Sequence, residues 1–160
     1  MYADENPTIE QRVGIITILT ADGSVYRRVT VRQRASVNAS LFEREALRLV
    51  NIERANHGLS PLQWHDGLAV VARNHSIDMV TRGFFSHTCP NGRNARYRIN
   101  SARIPFTWYS ETVSRGDRTP EQAVRGFMNS PRHREIILYP RSTHMGAGFH
   151  GFYWTLKFLR

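Results

Sequence analysis

Two histidines and one glutamate, each inside its own short motif, are the side chains of this chain best suited to chemistry. His87 ends a Gly-Phe-Phe-Ser-His motif, Glu111 lies in Tyr-Ser-Glu-Thr-Val, and His133 lies in Ser-Pro-Arg-His-Arg. Two imidazoles and a carboxylate in one cleft could hold a divalent metal or transfer protons. Their spacings along the chain are long, so only the fold can bring them together.

Each of the three residues also has a simpler interpretation. Either histidine could hydrogen-bond backbone groups near its own helix end. Glu111 lies on a predicted central strand, where an unpaired carboxylate is costly to bury. We therefore expect Glu111 either to face the histidines or to pair with an arginine. His75 and His144 are expected to pack in the core or at its edge, and Trp64, Trp108 and Trp154 in the core.

The composition sets broad limits on the function. The chain has 160 residues, enough for one domain with an appendage, and no apolar run near the roughly 18 residues of a membrane helix. Its first residues are polar and lack a signal-peptide core, which predicts either a protein that is not exported or a mature form. The sole cysteine, Cys89, excludes an intrachain disulfide and is expected to be a small loop residue rather than a reactive thiol.

The net charge of +9 comes almost entirely from arginine, since Lys157 is the only lysine. Guanidinium groups suit phosphate, so a nucleic-acid surface is one interpretation. The arginines are spread along the chain without a nucleic-acid-binding motif. This distribution favours a solvated arginine-rich surface, with no specific nucleic-acid partner.

The pattern divides the chain near residue 40. Residues 1–39 are predicted to be an extension with a β-hairpin, its strands at 13–19 and 25–31 flanking the turn 21–24. A lone hairpin is unstable, so it should dock on the main body or belong to a larger protein. Residues 40–160 are predicted to form the main domain. Its helices are predicted at 40–57, from Trp64 to Gly83, at 93–102, at 119–128 and from Ser130, and its strands at 108–114, 144–150 and 152–159.

The motifs from residue 41 onward resemble, in order, those of the bacterial branch of the CAP superfamily. This superfamily includes cysteine-rich secretory proteins, antigen five and plant pathogenesis-related proteins. The resemblance is carried by the opening helix and loop 49–64, the His-Ser-Ile-Asp-Met and Gly-Phe-Phe-Ser-His motifs at 75–79 and 83–87, Phe-Met-Asn-Ser-Pro-Arg-His-Arg at 127–134, His-Met-Gly-Ala-Gly at 144–148, and Tyr153 with Trp154.

The resemblance implies an α+β fold, a three-layer α-β-α sandwich with a central mostly antiparallel sheet, here preceded by the N-terminal β-hairpin extension. It also implies a broad cleft in which a histidine pair binds a divalent ion such as zinc. Matched position by position, His87 and His133 become the metal ligands, and Glu111 with both histidines becomes the candidate catalytic set. Solvent would complete the coordination, with Glu111 bound directly, through water or not at all.

This chain departs from the family pattern around the site. The Gly-Glu-Asn motif reads Ser110-Glu111-Thr112, and Arg132 replaces the glycine beside His133. The second glutamate of eukaryotic members has no clear counterpart, and Ser130 lies near its place. These departures weaken the prediction of catalysis more than that of a cleft.

Three function classes remain open at the level of sequence. The favoured one is an extracellular or cell-envelope module that binds a lipid-like, glycan or peptide ligand in the cleft. The second is a metal-dependent hydrolase, a protease or esterase, although no His-Glu-x-x-His helix or nucleophile elbow is present. The third is a structural cell-surface or spore-associated adhesion domain. The sequence leaves the oligomeric state open.

Overall fold

A computed structural model describes the backbone of residues 12–19, 25–33 and 37–160, and the side chains from residue 39 onward. The chain divides into two compact units, Met1–Ser40 and Leu41–Arg160. In the first unit, strands β1 (Arg12–Leu19) and β2 (Val25–Gln33) pair antiparallel. The predicted turn at 21–24 and the side chains of the hairpin lie outside the described residues.

The second unit combines five helices with a four-stranded mixed sheet, which confirms the α+β class. The helices are α1 (Val37–Asn56), α2 (Asp66–Thr81), α3 (Ala95–Ser101), α4 (Pro120–Asn129) and α5 (Pro131–Ile137), and the strands are β3 (Gln63–Trp64), β4 (Tyr109–Arg115), β5 (His144–His150) and β6 (Tyr153–Leu159). The sheet order is β3-β5-β6-β4; β3 runs parallel to β5, and the other neighbours are antiparallel. The three-layer stacking stays a prediction.

The predicted start of α1 at a Ser40 capping box is wrong. The helix already begins at Val37, so Ser40 lies inside it. The carboxylate expected to cap it, that of Glu43, is fully buried and accepts hydrogen bonds from Arg73 Nε (2.8 Å) and from the Phe149 backbone N–H (3.0 Å). A buried charge needs such partners, and this long-range pairing outweighs a local cap.

The predicted apolar stripe of α1 is only partly buried. Ala46 and Val50 are fully buried, whereas Leu41 and Ile52 keep 60% and 43% of their surface exposed. The buried face also carries Arg54, whose guanidinium donates to the carbonyl oxygens of Ser60, Ile137 and Tyr139. A hydropathy pattern cannot identify the buried face of α1, because two of its buried residues, Glu43 and Arg54, are charged.

Strand β5 lies directly against helix α2 because two glycines leave room for the helix backbone. A Cβ atom built on Gly146 would come within 3.0 Å of Ala69 backbone atoms, and one on Gly148 would overlap the backbone of Ala72 and Arg73. This close approach fixes the position of α2 over the sheet, and with it His75 and the start of the loop that carries His87.

Two hydrophobic clusters stabilise the second unit. The larger one joins side chains from α1, α4 and α5 to the sheet, and its buried residues include Phe127, Trp154 and Phe158. Trp154 is fully buried as predicted, while Trp64 and Trp108 are only partly buried and pack against this cluster. The smaller cluster joins α2 and α3 through Leu68 and Ile99. No helix among the described residues is long and apolar enough to span a bilayer.

Candidate functional site

Glu111 lies at the centre of a buried ionic network between two neighbouring strands. It is on β4, directly opposite Lys157 on β6, and both side chains are almost completely inaccessible to solvent. The Lys157 ammonium donates to Glu111 Oε2. From α3, Arg98 Nη2 donates to both carboxylate oxygens, at 3.1 Å (Oε1) and 2.9 Å (Oε2). The only lysine of the chain is therefore the buried counter-ion of the candidate catalytic acid.

The surroundings keep Glu111 ionised. Burial on its own would raise the pKa of this carboxyl group, but the Lys157 charge, a hydrogen bond from His87 and the Arg98 charge together bring the pKa well below its ordinary value. A carboxylate with so low a pKa is a poor proton acceptor at neutral pH. Its chemistry is to accept hydrogen bonds and to orient its donors.

The donor that Glu111 orients toward the cleft is His87. His87 Nδ1 lies 2.9 Å from Glu111 Oε1, and a carboxylate can only accept, so Nδ1 carries the hydrogen. In the neutral ring this leaves the lone pair on Nε2. Just over half of the His87 side chain, 53%, is exposed. Carboxylates orient many metal-binding histidines in the same way. Both arrangements that the sequence left open for Glu111 thus occur together, since it contacts a histidine and pairs with an arginine.

His133 lines the same cavity as His87 and Glu111. Its position follows from the predicted start of α4, where Thr119 Oγ1 accepts from the Gln122 N–H, and from Ser130, which links α4 to α5. The imidazole of His133 contacts the Phe127 ring edge-on at 5.2 Å. The cavity measures about 510 Å³ and is lined by His87, Asn94, Ala95, Tyr109, Ser110, Glu111, Arg132, His133 and Ile136.

The electrostatics keep His133 neutral. Burial, followed by the nearby His87 and Arg132, lowers its pKa below the ordinary histidine value. Among the side chains from residue 39 onward, His133 makes no hydrogen bond to His87 or Glu111. A neutral ring without such a bond has a nitrogen lone pair to offer. His87 and His133 are thus two imidazoles that line one cavity, and imidazole nitrogen is a ligand type that zinc accepts.

Three residues around the site were not predicted from the sequence. Lys157 could have been suspected, because a single lysine inside an apolar strand needs a buried partner. Arg98 gives no such signal among many arginines. His75, expected only to pack, is 1% exposed; its Nε2 lies 3.0 Å from the Ser86 carbonyl oxygen and 4.0 Å from Glu111 Oε1. His144 is half-buried at the start of β5, with its ring edge-on to His65.

The buried His75 predicts an acid-sensitive fold. Burial lowers the pKa of His75 from 6.5 to about 4, against the opposing attraction of Glu111. Below pH 6.5 His75 becomes protonated in the unfolded chain, whereas in the folded chain it stays neutral until about pH 4. Lowering the pH through this interval therefore favours the unfolded state. We expect His75 to remove up to about 3 kcal/mol of stability across this interval. In urea unfolding of the metal-free protein at several pH values, the free energy of unfolding should fall less with decreasing pH in His75→Gln than in wild type. The same pH dependence in both proteins would contradict this role of His75.

Comparisons with known proteins show which family the chain resembles. The model of the cysteine-rich secretory protein family (CAP) matches residues 47–157. Uncharacterized protein YkwD of Bacillus subtilis (strain 168) is 35% identical over 127 residues, which are 78% of this chain and 49% of YkwD. The uncharacterized membrane protein YlbC of the same strain is 32% identical over 118 residues, 74% of this chain and 34% of YlbC. The chain thus spans about half the length of the first of these relatives and about a third of the second.

Solved structures show the same fold. An extracellular protein of Bacillus anthracis str. Ames that contains an SCP domain superposes with a TM-score of 0.75 at 26% identity, over 84% of this chain and 47% of that one. An outer surface protein of Borrelia burgdorferi superposes with a TM-score of 0.68 at 20% identity, over 73% of this chain and 90% of that one, a likeness of fold alone. The family match and the bacterial relatives confirm the resemblance read from the motifs: the chain belongs to the cysteine-rich secretory protein (CAP) family.

Proposed function

We propose that the chain acts outside the cell or in the cell envelope as a binding module, in which His87 and His133 hold a divalent cation such as zinc at the floor of the cleft. The observation that carries this proposal is the complete use of the Glu111 carboxylate by Lys157, Arg98 and His87. An acid held in this way positions an imidazole and leaves little capacity to activate water. The extracellular placement is supported by the B. anthracis protein, which is described as extracellular.

The cleft lining favours a polar ligand. Asn94, Ser110 and Arg132 offer hydrogen-bond donors, and Tyr109 and Ile136 offer apolar surface beside them. Alternating polar and apolar groups suit a glycan or a peptide better than a lipid tail, which needs a continuous apolar wall. A cation at the histidines would add a binding point for a carboxylate or a carbonyl oxygen of such a ligand.

Hydrolysis is the alternative that this arrangement disfavours. A metal-dependent protease or esterase needs a base near the attacking water, and the low pKa of Glu111 makes it a weak base. We therefore expect no turnover of peptide or ester substrates by the zinc-loaded protein. Turnover that is present in the wild type and disappears in Glu111→Gln would reject the binding-module assignment in favour of a hydrolase.

The cleft should bind zinc through both histidines together. In a zinc titration followed by NMR of the imidazole nitrogens, we expect His87 Nε2 and one nitrogen of His133 to shift in parallel, while His87 Nδ1 remains hydrogen-bonded to Glu111. Loss of one ligand should weaken binding by about 100-fold or more, beyond what losing an outer-shell partner does. In His87→Ala, the shift of His133 should therefore vanish at the same zinc concentration.

His150→Ala is the matched control for this titration. His150 is a half-buried histidine at the far end of β5, and the cavity lining does not include it. This variant should retain the parallel shifts of His87 and His133. A His133 signal that responds to zinc equally in His87→Ala and in wild type would reject the shared site.

A further inference from the structure

Helix α2 and the loop after it bring together a second group of side chains of the types that bind metals, and none of them is a predicted site residue. One ligand atom each from His75, Asp78 and Cys89 lies within 4.8 Å of the others. Among the side chains that the structure describes, no other group of three histidine, cysteine, aspartate or glutamate residues is brought so close. His75 and Cys89 are buried and Asp78 is half-buried.

The secondary structure presents these ligands from one side. His75 and Asp78 are three residues apart on α2, so their side chains lie one above the other on the same helix face. Cys89 belongs to the loop after α2, in a tight turn closed by the Cys89 N–H to the Arg93 carbonyl oxygen (2.9 Å) and the Gly92 N–H to the Cys89 carbonyl oxygen (2.8 Å). The sulfur is thus held against the helix by the backbone.

The hydrogen bond of His75 Nε2 leaves the lone pair on Nδ1, the nitrogen that faces Cys89, available for a metal. Its Nε2 lies 3.0 Å from the Ser86 carbonyl oxygen, which can only accept, so Nε2 carries the hydrogen. The Nδ1 lone pair then points to the Cys89 sulfur, 3.8 Å away. A tetrahedral zinc ion with ordinary Zn–N and Zn–S bonds separates these two atoms by about 3.6 Å. The two ligands therefore already stand at nearly the spacing that zinc requires.

The charges and the space around the group also suit a metal. Burial and the neighbouring Asp78 raise the pKa of the Cys89 thiol, and Arg98 Nη1, which donates to the sulfur at 3.3 Å, opposes this rise. A bound metal ion would itself convert the thiol to the thiolate. A thiolate and the Asp78 carboxylate together neutralise the two positive charges of a divalent ion. A cavity of about 740 Å³ borders all three ligands and leaves room for water as a fourth ligand. A sulfur, nitrogen and oxygen donor set of this kind favours zinc over calcium or magnesium.

We propose that His75, Asp78 and Cys89 form a second zinc site, separate from the histidine pair of the cleft. On binding, the Cys89 thiol releases its proton and the thiolate donates an electron pair to the ion, so no oxidant or reductant is needed. The ion would tie α2 to the turn at Cys89, only two residues beyond His87. The site would therefore stabilise the segment that presents His87 to the cleft, whether or not the cleft binds metal.

Cobalt titration of the full chain tests this proposal directly, because Cys89 is the only cysteine. With a non-thiol reductant present, we expect a near-ultraviolet cobalt–thiolate charge-transfer band that saturates at one equivalent and is displaced by zinc. Cys89→Ser should abolish the band. In Asp78→Asn, which loses a charged ligand, cobalt affinity should fall by about 100-fold or more, beyond what losing an outer-shell partner does. Circular dichroism of both variants would verify that they are folded.

The cleft variants separate this proposal from the proposed function. His87→Ala and His133→Ala should retain the cobalt–thiolate band in full, even if the cleft itself binds no metal. A wild-type protein without the band would overturn the second site and leave the cleft proposal untouched. A band that persists with unchanged affinity in both His75→Gln and Asp78→Asn would also overturn it, because the thiolate would then be binding cobalt without its proposed partners.

Discussion

Glu111→Ala should destabilise the second unit by about 3–5 kcal/mol, because it leaves the fully buried Lys157 ammonium without its counter-ion. Arg98 would lose its carboxylate partner as well, while His87 would lose the acceptor of its Nδ1 hydrogen. Urea unfolding followed by circular dichroism measures this loss as a lower transition midpoint. The loss should be as large at high salt as at low salt, since buried pairs are screened little.

Removing both charges should reverse most of this loss. In the double variant Glu111→Leu with Lys157→Met, no buried ammonium remains unpaired, and apolar side chains of similar size fill the space between β4 and β6. As a surface control, Glu45→Ala breaks the exposed ion pair with Arg48 on α1 and should move the midpoint far less. Additive effects of the Glu111 and Lys157 changes, within about 0.5 kcal/mol, would contradict the coupling of this pair.

Gly148→Ala should destabilise the fold by about 3 kcal/mol or more, the upper end of what overpacking costs. The added methyl group would overlap backbone atoms of Ala72 and Arg73, and backbone in the middle of a helix cannot move aside as a flexible side chain can. The variant should therefore lose stability, or fold with α2 displaced from β5. Thermal and urea unfolding measure the first outcome, and a changed near-ultraviolet circular dichroism spectrum reports the second.

Gly126→Ala provides the matched control for the glycine prediction. Gly126 lies on the exposed side of α4, where an added Cβ would approach only the Asp117 side chain, at 4.0 Å. In an exposed helix, alanine is favoured over glycine by about 0.5–1 kcal/mol, so this variant should be more stable than wild type. Equal effects of the two substitutions would mean that the contact between β5 and α2 is looser than described.

Local signals in the sequence predicted most of the elements well. The Thr119-Pro120 start of α4 and the bounds of β5 agree with the structure because caps and strand alternation depend on near neighbours. The start of α1 was wrong because Glu43 binds Arg73, 30 residues away, and a pair of that kind leaves no local trace. Contacts with distant segments also decide which apolar residues of α1 are covered. The exposed Leu41 and Ile52 therefore have the same local pattern as core residues.

The candidate site was predictable in its members but not in its electrostatics. The ordered motifs led to His87, Glu111 and His133, and in the structure all three line one cavity. The pairing of Glu111 with Lys157 depends on the register between β4 and β6, two strands far apart in the chain. Strand register over that distance follows from tertiary packing and not from either segment alone. The expectation that Glu111 transfers protons was therefore formed without knowing that Lys157 and Arg98 lie beside it and lower its pKa.

A crystal structure of the zinc-loaded protein with anomalous data at the zinc edge tests the central claim most directly. We predict an anomalous peak bonded to His87 Nε2 and to His133, with His87 Nδ1 still on Glu111 Oε1 and the Lys157 pair intact. A cleft without such a peak at saturating zinc would contradict the account. So would an ion bound to the Glu111 carboxylate in place of Lys157, because Glu111 would then be a metal ligand and not the residue that orients His87.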